Sequence, residues 1–252
     1  MGTRKKFNTA GTCFPDRHYM VDITGRLERI RRLVGDGEYF CINRGRQYGK
    51  STTLEALSEF LKDEYTVFQI SFEGMDDETF SSLESVFAGF LKKLWMRTRH
   101  DKGLVLGDEA RKLLTDRVSF ALRSMSSEEF RDLIAELCSV NDRPVVVLID
   151  EVDQAGSFDS FVRFLGTLRN MYLDRAKMPT FQSVVLAGVY DVRNLRMKIR
   201  PKGERQHNSP WNIAVPFTED MSLSEEGIAG MLADYLDRFG VDVGYMVSFC
   251  FN

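Results

Sequence analysis

Tyr39-Phe40-Cys41-Ile42-Asn43-Arg44-Gly45-Arg46-Gln47-Tyr48-Gly49-Lys50-Ser51-Thr52 opens as a short apolar strand, passes through a polar, glycine-containing turn and enters a helix. On that helix Leu54, Leu57 and Leu61 fall at i, i+3 and i+7. Strand, loop and helix in this order turn backbone N–H groups and a helix N-terminus toward a phosphate. The loop is close to GxxxxGK(S/T), with Arg44 where the first glycine belongs. In such a loop Gly49 lets the backbone curl, Lys50 reaches the β and γ oxygens, and Ser51 ligates Mg²⁺. Arg46, Gln47, Tyr48, Gly49, Lys50, Ser51 and Thr52 are therefore the candidate nucleotide contacts. A GKS tripeptide taken alone also fits a plain surface turn.

About 95 residues beyond Lys50, Pro144 introduces VVVLIDEVD. Its unbroken aliphatic run belongs to a strand buried on both faces, hence central in a parallel sheet. The run ends in two adjacent carboxylates. Asp150 suits the role of holding a metal's water shell, and Glu151 that of orienting and polarising an attacking water. The two motifs, in this sequence order, point to ATP and Mg²⁺. Further strands are expected over 66–72, where Phe68, Ile70 and Phe72 share a face, and over 181–189. A helix over 157–172 completes a βαβ unit. The stretch 212–217 offers a fifth strand, weakened by Pro216. Between 73 and 143 the spacing predicts two or three amphipathic helices. One begins near Asp76, and another follows the capping-box pair Ser126 and Glu129. The expected class is α/β: a parallel sheet flanked by helices, in a domain over 1–220 that carries a helical insertion at about 74–142. The segment 221–252 adds one helix, with Ile228, Met231, Leu232 and Tyr235 on one stripe, and an apolar tail.

With 252 residues, 43% hydrophobic and 28% charged, the chain is sized for one large domain and excludes collagen-like or largely disordered classes. A formal charge of −3 excludes a global positive field, so only local patches can attract nucleic acid. One such patch is the loop 193–205, where Arg193, Arg196, Lys198, Arg200, Lys202 and Arg205 face only Glu204. It reads as a solvated loop, or as a row meeting nucleic-acid phosphates, a protein partner or a neighbouring subunit's nucleotide. Cys13, Cys41, Cys138 and Cys250 have no CxxC or Cys/His spacing, which predicts neither disulfides nor zinc and a reducing, cytoplasmic setting. His18, His100 and His207 are dispersed. No apolar run approaches a membrane span, so no membrane contact is expected.

Together, the phosphate loop, VVVLIDEVD, HYMVD at 18–22, TFQSVVLAGVYDVRNL at 180–195 and NSPWNIAVPF at 208–217 resemble the predicted AAA-ATPase-like proteins of bacteria and archaea. That family is a branch of the additional-strand, catalytic-glutamate P-loop ATPases. The resemblance covers roughly residues 5–236, and members often carry an arginine in place of the first loop glycine. It implies a five-stranded sheet in the order 5-1-4-3-2, with adenine held near Tyr19 and Asp22. It further implies a sensor at Tyr190 or Asp191, and a residue steering the glutamate at Ser71 or Glu73. Arg169 lies near the end of the helix after the acidic strand, inside its apolar stripe, where a local role, capping the last carbonyls or reaching out past the core, is one reading. Related ring-forming enzymes place there an arginine finger that acts on an adjacent subunit, so the resemblance implies a homo-oligomer. A multi-helix lid is also implied, which makes the segment after 236 read as truncated; a tail that packs as one more element is the alternative.

The expected activity is ATP hydrolysis coupled to conformational change. Two alternatives stay open: a slow-turnover nucleotide-dependent switch or scaffold, and a kinase acting on a small molecule.

Overall fold

The computed structural model describes residues 5–121, 125–189 and 211–236. Four runs pair into a wholly parallel sheet: β1 (Phe40–Asn43), β2 (Thr66–Ser71), β3 (Val145–Asp150) and β4 (Ser183–Gly188), in the order β1-β4-β3-β2. In register, Ile42 lies opposite Ala187, Leu148 opposite Val185, and Ile70 opposite Ile149. Helices α1 (Thr24–Gly35) and α2 (Lys50–Leu61) cover one face, where Leu27, Ile30, Leu54 and Leu57 meet Phe40, Ile42, Leu148 and Val185. The other face is covered by α3 (Leu83–His100), α5 (Ser127–Val140) and α6 (Asp159–Asp174), packed over Phe68, Ile70, Val147, Ile149 and Leu186. Helix α4 (Asp108–Ala121) completes the insertion between β2 and β3, and α7 (Glu225–Leu236) ends the described chain. Because helices cover both faces, β3 and β4 are buried at every position and show no polar alternation.

Two boundaries depart from the expected ones for local reasons. Helix α3 starts at Leu83, not near Asp76. The Asp76 carboxylate accepts the Thr79 N–H at 3.0 Å and its hydroxyl at 2.6 Å, closing a turn that competes with helix, and Ser82 caps α3 by accepting the Ser85 N–H. The segment 212–217 contributes a single bridge, Val215 to Phe40, with the Val215 N–H donating to the Tyr39 carbonyl at 3.0 Å. Trp211–Ile213 is taken up in a turn closed by the Ala214 N–H on the Trp211 carbonyl, and Pro216 has no N–H to extend a ladder. The capping box at Ser126 and Glu129 forms as expected.

The core between α3, α5 and α6 is aromatic. The Phe164 ring lies 5.2 Å from Phe90, 6.0 Å from Phe87 and 6.1 Å from Phe130, with no solvent exposure. Phe164→Ala is expected to cost about 3–5 kcal/mol. Urea unfolding checks this as a lowered midpoint at unchanged slope; a shift below about 1 kcal/mol would mean that the neighbouring rings collapse into the space.

Candidate functional site

Parallel pairing brings the C-terminal ends of β1 and β3 to one edge of the sheet, with β4 between them. The loop after β1 leaves that edge at Arg44, whose N–H donates to the Gly188 carbonyl of β4 at 3.2 Å. It then winds around one cation: the Lys50 ammonium donates to the carbonyls of Arg44 at 3.0 Å and Gly45 at 2.9 Å, and the side chain is buried. Gly49 precedes α2 at φ 70°, a left-handed backbone that glycine adopts without cost. Gln47 takes φ 66° without that freedom. Glu151 at φ 54° is the other non-glycine residue in this region among the described residues, so both stand at this edge. Such positions cost about 1–3 kcal/mol and cluster at working sites.

Asp150 ends β3 with a buried carboxylate that accepts the Glu151 N–H at 2.9 Å. Burial pushes the Glu151 carboxyl above the ordinary carboxylate range; Asp150 raises it further, Lys50 opposes the rise, and Asp153 and Glu73 add to it. Lys50 and Glu151, about 100 residues apart in the chain, thus act on one another electrostatically. If Glu151 takes up a proton in the reaction, activity must fall on acidification with an acid limb above the range of an unperturbed Glu. A rate–pH profile checks this, and a limb at or below that range would show that Glu151 does not set it.

Asp153 has a part that its sequence position did not assign. It accepts the Val189 N–H just past β4, and a Cβ on Gly188 would stand 2.9 Å from both Asp153 Oδ2 and Val152 Cγ2. The third acid of VVVLIDEVD therefore clamps the end of β4, and Gly188 allows the close approach. Ser71 accepts the Glu73 N–H at 3.0 Å, a local turn, while the exposed Glu73 contributes to the field at Glu151. The expected sensor positions Tyr190 and Asp191, the basic loop 193–205 and the tail after 236 lie outside the described residues.

Beside the loop runs a cleft of about 730 Å³. One wall holds Arg46, Gln47, Tyr48, Gly49 and Thr52; the other holds Tyr19, Val21, Met221 and Met231. The N-terminal segment is tied to the loop side where the Cys13 N–H donates to the Thr52 hydroxyl at 3.1 Å. Tyr19 packs with Phe7 at 5.0 Å and Tyr235 of α7 at 5.3 Å, and those two rings also meet, at 5.2 Å. Asp22 is not part of the lining. Its carboxylate accepts the Thr24 N–H at 2.9 Å and hydroxyl at 2.6 Å at the start of α1, which holds it below the ordinary range.

Arg169 is not brought to this edge. It stands ten residues into α6, about 15 Å along the helix from its start, and donates to Asn212 Oδ1 at 2.6 Å. Its bond pins the 211–217 segment. Ser51, in the first turn of α2, and Asp150 supply hard oxygen donors, a set that suits Mg²⁺ held by one carboxylate and a phosphate-bearing ligand. None of the described helices is long and apolar enough to cross a membrane. No protein-family model matches the chain, and no curated protein matches it.

Proposed function

We propose that the chain is a Mg²⁺-dependent, P-loop-type ATPase that hydrolyses ATP and couples turnover to a conformational change. The observation that carries this reading is the loop wound around the buried Lys50 ammonium at the start of α2, within electrostatic reach of Glu151. A polyphosphate seated on the α2 N-terminus would take Lys50 from the carbonyls of Arg44 and Gly45, exchanging neutral acceptors for charged ones. Glu151 would then orient a water in line with the γ-phosphate and accept its proton. Mg²⁺, held through Ser51 and Asp150, would neutralise charge developing on the phosphates.

The strand order supports the same reading. β4 stands between the strand of the loop and the strand of the acids, as in the additional-strand ATPases, and Val215 bridges β1 on its free side, where the fifth strand of a 5-1-4-3-2 sheet would pair. The cleft then takes the nucleoside, with adenine against Tyr19. Arg169, remote from Glu151 in its own chain, would serve hydrolysis only from a second copy of an assembly.

Incubation with Mg-ATP and analysis of products tests this. The reading expects ADP and free phosphate in equal amounts; ADP with a phosphorylated acceptor would replace it by a kinase, and no turnover with tightly held ATP by a switch.

A further inference from the structure

Arg44 replaces a residue that in a phosphate loop has no side chain, so its guanidinium needs a destination. It points away from the loop. One nitrogen donates to the Asn43 carbonyl at 3.0 Å and another to the Glu219 carbonyl at 2.8 Å, and the group lies 5.9 Å from the centre of the Phe217 ring. Phe217 in turn stacks on Phe40 of β1, 5.9 Å away and tilted by 9°. The segment from Phe217 to Ser222 leads directly into the far wall of the cleft, which Met221, Leu223 and Met231 form.

Two further arginines fasten the same segment, both from α1. Arg29 pairs with the Glu219 carboxylate, and Arg26 donates to the Ser222 carbonyl at 3.1 Å. Among the described residues, Arg44 is the loop position whose side chain bonds this segment. Its main chain is equally placed: its carbonyl accepts from Lys50 and its N–H holds β4. One residue thus touches the cation that meets phosphate, the central sheet and the opposite wall.

We propose that Arg44 is a positioning residue that links the phosphate loop to the far wall of the cleft, so that the wall at 219–236 responds to what Lys50 binds. This rests on the nucleotide-binding reading. When Lys50 leaves the Arg44 carbonyl for a phosphate, the main chain at 44 readjusts, and the guanidinium transmits the change to the Glu219 carbonyl and on to α7. The charged donor makes this bond stronger than a neutral one, and the aromatic face of Phe217 adds to its hold.

Amide hydrogen exchange tests the link, on the full chain with and without Mg-ADP, for the unaltered protein, Arg44→Ala and Arg44→Lys. Without nucleotide, Arg44→Ala is expected to exchange roughly 10-fold faster over 219–224 while α1 keeps its protection. With Mg-ADP, the unaltered protein is expected to change its exchange over 219–236. Arg44→Ala should bind within about tenfold of the unaltered affinity yet show no such change. Arg44→Lys, which keeps the charge but can hold fewer of the three contacts, should recover part of the response. A merely structural arginine would alter the basal rates and leave the nucleotide-dependent difference intact, which would overturn the proposal. Equal basal exchange in the unaltered protein and Arg44→Ala would also overturn it, whether or not nucleotide binds. Absence of Mg-ADP binding to the unaltered protein would overturn the nucleotide-binding reading and the proposed response with it, while the basal comparison still shows separately whether Arg44 holds 219–224. If Arg44→Ala unfolds, the Lys variant carries the same comparisons.

Discussion

Lys50→Ala is expected to remove measurable Mg-ATP binding, with affinity at least roughly 100-fold weaker by calorimetric titration. The ammonium sits at the start of α2, inside the loop, and is the cation around which the carbonyls of Arg44 and Gly45 close. Alanine takes away the charge that would meet the β and γ oxygens. It also leaves two loop carbonyls without their donor. The second effect is separated from the first by circular dichroism and thermal unfolding without nucleotide, where a modest loss is expected, because the same substitution relieves a buried charge of its desolvation. Unchanged affinity in a folded variant would end the assignment of this loop to phosphate.

Glu151→Gln should behave in the opposite way, retaining ATP and losing at least about 100-fold in turnover. An amide keeps the shape and one acceptor oxygen of the carboxylate but takes no proton from water. The substitution also carries a stability signature. Burial and the neighbouring Asp150, Asp153 and Glu73 raise the Glu151 carboxyl, so the folded state holds this proton more tightly than the unfolded chain does. Its contribution to stability is therefore present below the ordinary glutamate range and lost as pH rises through the raised value. Glutamine lacks that loss. The melting temperature of Glu151→Gln should exceed that of the unaltered protein near neutral pH, and the gap should close on acidification. A base exchanged without a change in turnover would place the proton acceptor elsewhere; a pH-independent gap would mean that the carboxyl is not held up by its surroundings.

The two predictions differ in how much of their basis could be read without coordinates. That Lys50 follows a strand and a turn, and that Asp150 and Glu151 end an aliphatic run, is local information, carried by side-chain periodicity and by glycine at 49. That Glu151 sits in a left-handed backbone and feels Lys50 depends on β4 packing between β1 and β3, a pairing of residues far apart in the chain. The start of α3 shows the same division within a few residues. The apolar stripe of Phe80, Leu83, Phe87 and Phe90 extends upstream of the helix. Asp76, bonded to Thr79, closes a turn in the stripe's first stretch, and a hydrophobic pattern does not register that competition.

By itself, then, the sequence determined the four strands of the sheet, the parallel α/β class, the capping box before α5 and the two motifs at the ends of β1 and β3, because each follows from neighbours within a turn or a strand. Only the tertiary structure decided where long polar side chains end. Arg169 reaches Asn212, Asp153 clamps Val189, and Arg44 crosses to Glu219. An arginine or a carboxylate can reach several partners from one backbone position. Which partner it meets is set by the packing of distant segments against the sheet, and spacing along the chain carries no record of that choice.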